Sequence, residues 1–146
     1  MATALARTAL RAAGLVLVGT GGAAWVAITQ QLRAQHITVP ADADHFAGQP
    51  VAGPVTAFAQ AAAIEKHALK MADGKSYAGL GEEVAAAKRA GDTERASRLA
   101  GTREIVLQAN LLRASLFTSV LAYGVSALAV GMGVLTGVVA AALPRD

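Results

Sequence analysis

The sequence predicts an all-α membrane protein in which two transmembrane helices are joined by a long, mainly helical extracytoplasmic loop. Residues 114–144 hold no charged side chain, and a helix of that length exceeds a hydrocarbon core of about 30 Å. A second uncharged run, residues 12–32, lies between Arg11 and Arg33. The apolar residues are mostly small or aliphatic and only six are aromatic, which favours closely packed helices.

Composition excludes several classes of function. The chain has no cysteine, which excludes disulfides, thiolate metal sites, a cysteine nucleophile and a lipid-modified N-terminal cysteine. The formal charge of +3 is modest and basic residues are interspersed with acidic ones, so no nucleic-acid surface is expected. The frequent alanine and arginine suggest a high-GC bacterium.

Residues 1–11 are predicted to be a cytoplasmic N-terminal tail, since Arg7 and Arg11 stand there without an acidic residue. Residues 12–32 are the first predicted span, with Trp25 placed as an interfacial aromatic residue. The alternative is a cleaved signal peptide, because a basic segment precedes the apolar run. The length of the run and the bulky residues where small ones are needed favour the span.

Residues 33–113 are predicted to form the extracytoplasmic loop, with two or three short helices. Prolines and glycines mark an irregular start that has room for at most one short strand. Helices are expected over residues 54–72, where Pro54 suits the first turn, and over residues 82–90. Asp92 is the expected N-cap of a third helical stretch, which Gly101 could kink.

Residues 114–143 are the second predicted span, and residues 144–146 are a cytoplasmic tail that carries Arg145. Basic residues before the first span and after the second place both termini in the cytoplasm. Arginines that precede the second span oppose this orientation, but a long loop translocates largely regardless of its charge. The expected location is therefore the plasma membrane of a bacterium, with multi-pass topology.

Small residues at helical spacing predict where the spans contact other helices. On the second span they recur every four residues and share one ridge: Ala129, Gly133, Gly137 and Ala141. Gly19 and Ala23 have the same spacing on the first span. Without side chains there, another backbone can approach closely enough for dispersion contacts that lipid cannot match. In a chain this rich in glycine and alanine, chance alone also produces some matches.

Asn110 and Arg113 stand at the membrane lip of the second span. A basic residue there can extend to the headgroups or bind a lipid phosphate. It could instead pair with Glu104 or with a partner subunit, although extension to the headgroups is the favoured interpretation. No charged residue lies inside either span, so no proton relay through the membrane is indicated.

Other motifs match catalytic or cofactor sites only in part. Three histidines near carboxylates could supply ligands for Zn, Fe or Mn: His36, His45 and His67. No spacing places two of them on one helix face, so we predict no metal site, no cofactor and no catalytic residue. The G-x-G-x-x-A pattern at Gly19 lies inside an apolar span, and the segment around Lys75 lacks the first glycine of a P-loop, so neither is expected to bind a nucleotide.

The segment NLLRASLFTSV at residues 110–120, with the glycine-rich span after it, carries a resemblance to a known family. Further matching segments are ITV at 37–39, GP at 53–54, HAL at 67–69 and DGKSYA at 73–78. In these segments the chain resembles a family of small two-span actinobacterial membrane proteins of unestablished function. Members are often labelled aromatic ring-opening dioxygenase, a label that the residues here do not support. The resemblance implies two spans and an extracytoplasmic loop, and it transfers no catalytic residue.

Together these features predict a non-catalytic accessory or structural subunit of a larger bacterial membrane assembly, of the respiratory or cell-envelope kind. It would act by helix packing and loop docking. Its expected partners are the lipid bilayer and other membrane protein subunits or further copies of itself, and not nucleic acid. The alternative is a self-assembling homo-oligomeric scaffold or pore. A metal-dependent enzyme that uses the three histidines is less favoured.

Overall fold

The computed structural model describes residues 2–144, so Arg145 in the predicted C-terminal tail lies outside the described residues. In that range four helices follow one another: α1 (Ala2–Ala34), α2 (Pro54–Met71), α3 (Tyr77–Arg89) and α4 (Thr93–Ala142). The same range contains no strand, and the short strand allowed near residue 38 is an isolated antiparallel bridge between Thr38 and Pro50. The protein is therefore all-helical, as predicted.

Both α1 and α4 are long and apolar enough to cross a membrane. Only 11% of the most apolar window of α1 and 17% of that of α4 are buried, whereas the core helix of a soluble protein is mostly buried. α1 begins before the predicted span, and α4 continues through Gly101, where a kink was considered. An exposed glycine costs a helix interior only about 1 kcal/mol, which the flanking residues offset.

Two compact units divide the chain. Unit 1 comprises residues 2–37, 52–54 and 119–144 of the described range, and unit 2 comprises residues 38–51 and 55–118. Unit 1 therefore contains α1 and the C-terminal part of α4. Unit 2 contains nearly all of α2, together with α3 and the N-terminal part of α4.

Unit 2 has a small apolar core of its own. Ala72, Leu80 and Val106 are buried together, and Tyr77 and Leu99 pack against them. The buried side of α2 is built from small side chains: Thr56, Ala57, Ala59, Ala61, Ala63 and Ala68. Because alanine adds little volume, α2 contributes no large side chain to its buried side.

Side-chain caps fix two helix starts in unit 2. Ser76 is the N-cap of α3 and accepts a hydrogen bond from Gly79 N–H at 3.1 Å. α3 therefore starts at Tyr77 rather than at residue 82, because this cap offsets the low helix propensity of nearby glycines. Asp92 caps α4 as predicted, and its carboxylate accepts from Arg95 N–H at 2.9 Å.

Candidate functional site

In unit 1, α1 and α4 approach each other at glycines. A Cβ atom placed on Gly133 would lie 2.6 Å from Gly14 O and 2.9 Å from Val18 N. One placed on Gly14 would lie 2.7 Å from Gly133 O. Heavy atoms attract one another best at about 3.5–4.0 Å. Only glycine therefore fits at these two positions without moving the helices apart.

This contact continues along both helices at heptad spacing. A Cβ atom on Gly21, seven residues after Gly14, would lie 2.7 Å from Ser126 O. On α4, Ser126, Gly133 and Ala140 are buried at the same spacing. A heptad repeat keeps one side of a helix facing its neighbour over several turns. The α1–α4 contact is therefore a seam of small residues rather than a single crossing point.

The ridge predicted on α4 lies partly in this seam. Gly133 is in close contact with α1, and Ala129 and Gly137 are half-buried. A Cβ atom on Gly137 would meet nothing within 4 Å, and Ala141 is exposed. Residues spaced by four gradually move around the helix, whereas the buried seam residues recur every seven. The predicted ridge therefore leaves the seam after Gly133.

On α1 the seam uses other residues than the predicted pair. Gly19 has open space around it and Ala23 is exposed, whereas Gly14 and Gly21 make the close contacts. The seven-residue spacing of these two glycines is the signal that could have identified them. Contact of Gly19 and Ala23 with a further helix stays a prediction.

Aromatic and polar contacts hold both ends of the α1–α4 pair. Trp25 lies edge-on to Tyr123 with ring centroids 4.6 Å apart. The hydroxyl of Tyr123, a residue only 1% exposed, lies 2.7 Å from Thr29 Oγ1. At the other end, Arg7 Nη1 donates to Pro144 O at 3.4 Å. The predicted N-terminal and C-terminal tails are therefore neighbours.

A cleft of about 180 Å³ lies within unit 2. Side chains from α2, α3, α4 and the α2–α3 connection line it: Glu65, Ala68, Leu69, Lys75, Ser76, Tyr77, Val106, Asn110 and Arg113. The two residues that the sequence placed at the membrane lip, Asn110 and Arg113, therefore line the same cleft.

Arg113 is held on one side of its guanidinium. Its Nη2 lies 2.7 Å from Glu65 Oε2, so its acidic partner is Glu65 and not the Glu104 considered from sequence. Its Cζ lies 5.8 Å from the ring centroid of Phe117. Arg113 Nε is buried without a hydrogen-bond partner. The side chain thus combines a fixed position with an unused buried donor.

A second group of charges flanks the cleft. Lys75 Nζ lies 2.7 Å from Glu83 Oε1, and Arg95 Nη2 lies 3.6 Å from Glu83 Oε2. The hydrogen bond from Lys75 and the nearby cations lower the pKa of Glu83 below its ordinary value. Arg103 lies over the Tyr77 ring, 4.0 Å from its centroid, and its Nε donates to Tyr77 O at 3.4 Å. Arg103, which does not line the cleft, therefore holds the Tyr77 ring in place.

Residues 38–51 are joined to α2 by a histidine–carboxylate hydrogen bond and an ion pair. His67 Nε2 lies 2.7 Å from Asp42 Oδ2, and Lys66 Nζ lies 3.0 Å from Asp44 Oδ1. Lys66 also donates to the Asp42 carbonyl at 3.1 Å. The hydrogen bond with His67 lowers the pKa of the Asp42 carboxyl. His67, considered as a metal ligand from sequence, thus helps to attach a loop to a helix.

The three candidate histidines are not brought into one ligand group. His36 belongs to unit 1, whereas His45 and His67 belong to unit 2. His45 is exposed and His67 contacts Asp42. Across residues 2–144, no group of three histidine, aspartate or glutamate side chains has the arrangement of a metal site.

Some of these residues carry no pattern that a single sequence reveals. Nothing in the spacing of Glu65, Lys75 and Arg113 indicates that they share a cleft, because they come from separate elements.

No family model matches this chain, and neither a curated protein nor a solved structure does. The resemblance to the two-span actinobacterial family therefore stays a prediction.

Proposed function

We propose that this chain is an integral membrane protein of a bacterium, with α1 and α4 crossing the bilayer and unit 2 docking other subunits of a membrane assembly. The observation that carries the proposal is the contrast between two sides of the same helices. The sides on which α1 and α4 meet are rich in glycine, and there the two backbones approach each other closely. The remaining surface is covered by large apolar side chains that are more than half exposed: Leu15, Val16, Val26, Leu121, Val125, Leu128, Leu135 and Val138.

A lipid environment accounts for both sides of this contrast. Soluble monomers rarely expose apolar patches larger than a few hundred Å², whereas lipid solvates such a surface without penalty. Helices in lipid associate through close packing at small residues, as at Gly14 and Gly133. Hydroxyl groups must also find partners inside the helix. Thr20 Oγ1 and Ser126 Oγ each donate to the carbonyl four residues earlier at 2.8 Å.

Two contacts support a retained first span with both termini on one side of the membrane. The close approach of Gly14 and Gly21 to α4 gives α1 a structural role, which a cleaved signal peptide would not have. The hydrogen bond from Arg7 to Pro144 brings the chain ends together. With the basic N-terminal segment in the cytoplasm, unit 2 would be extracytoplasmic.

Unit 2 offers apolar side chains suited to protein docking. Phe58 is 56% exposed and lies edge-on to Phe117, with ring centroids 5.8 Å apart. Val55, Leu111 and Leu112 are also exposed. Aromatic and large apolar side chains dominate the buried centres of protein interfaces. A respiratory or cell-envelope assembly would supply such a partner.

A second candidate is self-assembly into a homo-oligomeric scaffold or pore. The observation that favours it is the small-residue surface outside the seam. Gly19 and Gly137 have open space around them, and Ala23 and Ala141 are exposed. A further helix of another copy could approach there as closely as α1 approaches α4.

Mild detergent extraction followed by mass spectrometry separates the two candidates. The accessory function predicts that larger subunits co-migrate in a fixed ratio. It also predicts that Phe58→Ser reduces their recovery, while the control Leu15→Ala in the lipid-facing surface does not. Self-assembly predicts particles of one size that contain this chain alone. A monomer without co-migrating protein would contradict both.

Cysteine labelling tests the proposed topology, and the natural chain contributes no background because it has no cysteine. Ala86→Cys, at an exposed position of α3, should react with a membrane-impermeant thiol reagent in intact cells. Thr3→Cys should react only after the cells are opened. The reverse labelling pattern would invert the topology, and equal labelling of both sites in intact cells would argue against it.

A further inference from the structure

We infer that the cleft in unit 2 binds a phosphate group, carried either by a phospholipid or by a soluble phosphate ester. All of its lining residues belong to unit 2, so this inference does not rest on the proposed membrane role. The volume of about 180 Å³ is several times the liquid volume of one water molecule, about 30 Å³. There is room for a phosphate and the carbon atoms next to it.

Arg113 supplies the most specific part of the site. A guanidinium presents five N–H donors in a planar fork that matches the oxygens of a phosphate. One side of this fork is used, because Nη2 pairs with Glu65 at 2.7 Å. The buried Nε has no partner, and a buried donor without an acceptor is unfavourable. The side chain as a whole is still 23% exposed, so a ligand oxygen can reach the outer guanidinium nitrogens, whereas the buried Nε gains an acceptor only if Arg113 shifts toward the ligand.

Three further side chains of the cleft can donate to the same ligand. Lys75 Nζ has three N–H donors, of which the contact with Glu83 uses one. Ser76 Oγ accepts from the backbone, which leaves its hydroxyl hydrogen to donate, and Asn110 brings an exposed amide. With Lys75, Arg113 and the single carboxylate of Glu65, the lining carries a net positive charge. Arginine and lysine together are the usual recognition groups for phosphate.

The other lining residues suit the organic part of a phosphate ester. Ala68, Leu69 and Val106 form an apolar wall, and the Tyr77 ring is held by Arg103. A free inorganic phosphate would leave the apolar wall unused.

The test uses the full chain in a neutral detergent, with ¹⁵N-detected arginine Nε–H signals as the readout. The Arg113 signal is assigned by its loss in Arg113→Lys. The probes are inorganic phosphate and a short-chain phosphatidylglycerol, with sodium chloride at matched ionic strength as the control. We expect a saturable shift of the Arg113 signal with both probes and none with chloride. Tighter binding of phosphatidylglycerol than of inorganic phosphate identifies a lipid source, whereas equal or weaker binding excludes the lipid and assigns the site to a soluble phosphate. No saturable shift with either probe overturns the inference.

Calorimetric titration of variants gives an independent test. Arg113→Lys should weaken binding by about tenfold or more, because a lysine cannot reproduce the fork. Glu65→Gln keeps the shape of the side chain and removes the competing charge, so it should tighten binding by about threefold to tenfold. Arg98→Gln, which removes an exposed cation paired with Glu94 outside the cleft, should leave affinity unchanged. If Arg113→Lys does not fold, unchanged or weaker binding in Glu65→Gln still overturns the inference.

Discussion

Replacing Gly133 with alanine should separate α1 from α4. The new Cβ atom would lie 2.6 Å from Gly14 O, whereas ordinary contact begins at 3.4 Å, so the backbones must part by about 0.8 Å at this point. A gap of that size forfeits about a quarter to a half of each affected dispersion contact. Overpacking of this kind costs about 1–3 kcal/mol.

The matched control is Gly137→Ala, one turn later on the same helix. Both variants gain about 1 kcal/mol of helix propensity, but a Cβ atom at residue 137 meets nothing within 4 Å. The difference between them therefore isolates the steric cost. We expect Gly133→Ala to be less stable than Gly137→Ala by about 1–3 kcal/mol.

The single tryptophan provides the assay. Trp25 lies against Tyr123 at a centroid distance of 4.6 Å, so its fluorescence reports on the α1–α4 contact. The purified chain in mild detergent is titrated with sodium dodecyl sulfate, and the midpoint of the fluorescence change is compared between variants. Coincident midpoints for Gly133→Ala and Gly137→Ala would refute the glycine seam as the determinant of helix pairing.

Three further predictions concern single contacts. Tyr123→Phe removes the hydrogen bond to Thr29 and should destabilise the pair by about 1 kcal/mol in the same titration; an unchanged midpoint would show that this bond contributes nothing. The pKa of Asp42 lies below its ordinary value of 3.8 because His67 hydrogen-bonds to it. The contact therefore stabilises the fold fully above that ordinary value and is lost as pH falls through the lowered one. NMR titration of the carboxyl carbon should show the Asp42 pKa rising toward 3.8 in His67→Gln, and no rise would exclude the contact in solution. Phe58→Ser should lower partner recovery without changing the Trp25 transition, and a changed transition would indicate a folding defect instead.

The presence of the two long apolar helices could be predicted because it depends on local properties, although α1 begins at Ala2, ten residues before the predicted span. A long uncharged apolar run favours a helix through its own composition, and Pro54 in the first turn of α2 and the Asp92 cap of α4 both act within one turn. α3 starts at Tyr77, earlier than the predicted residue 82, because the Ser76 hydroxyl caps its first turn. Gly101 was overrated as an interruption, since one exposed glycine is a small penalty in a helix of 50 residues.

The arrangement of side chains between helices could not be predicted in the same way. The row with a spacing of four found Gly133, but it could not tell which side of α1 faces it, because that depends on the crossing geometry of two helices. The cleft depends on three helices and the α2–α3 connection coming together, and only Asn110 and Arg113 carried a local signal. The Arg113 partner, Glu65, lies on another helix and has no sequence pattern linking it to Arg113.

Several hydroxyl side chains in the long helices donate to their own backbone. Thr8, Thr20, Thr29 and Ser126 donate to carbonyls four residues earlier, and Thr136 donates to Gly133 O. The middle of the seam is therefore matched by shape, without a titrating group or an ion pair. Salt washes and alkaline stripping, which release proteins held by charge, should leave this helix pair intact. Tolerance to substitution there should follow side-chain volume rather than polarity, so that serine would replace glycine no better than alanine does.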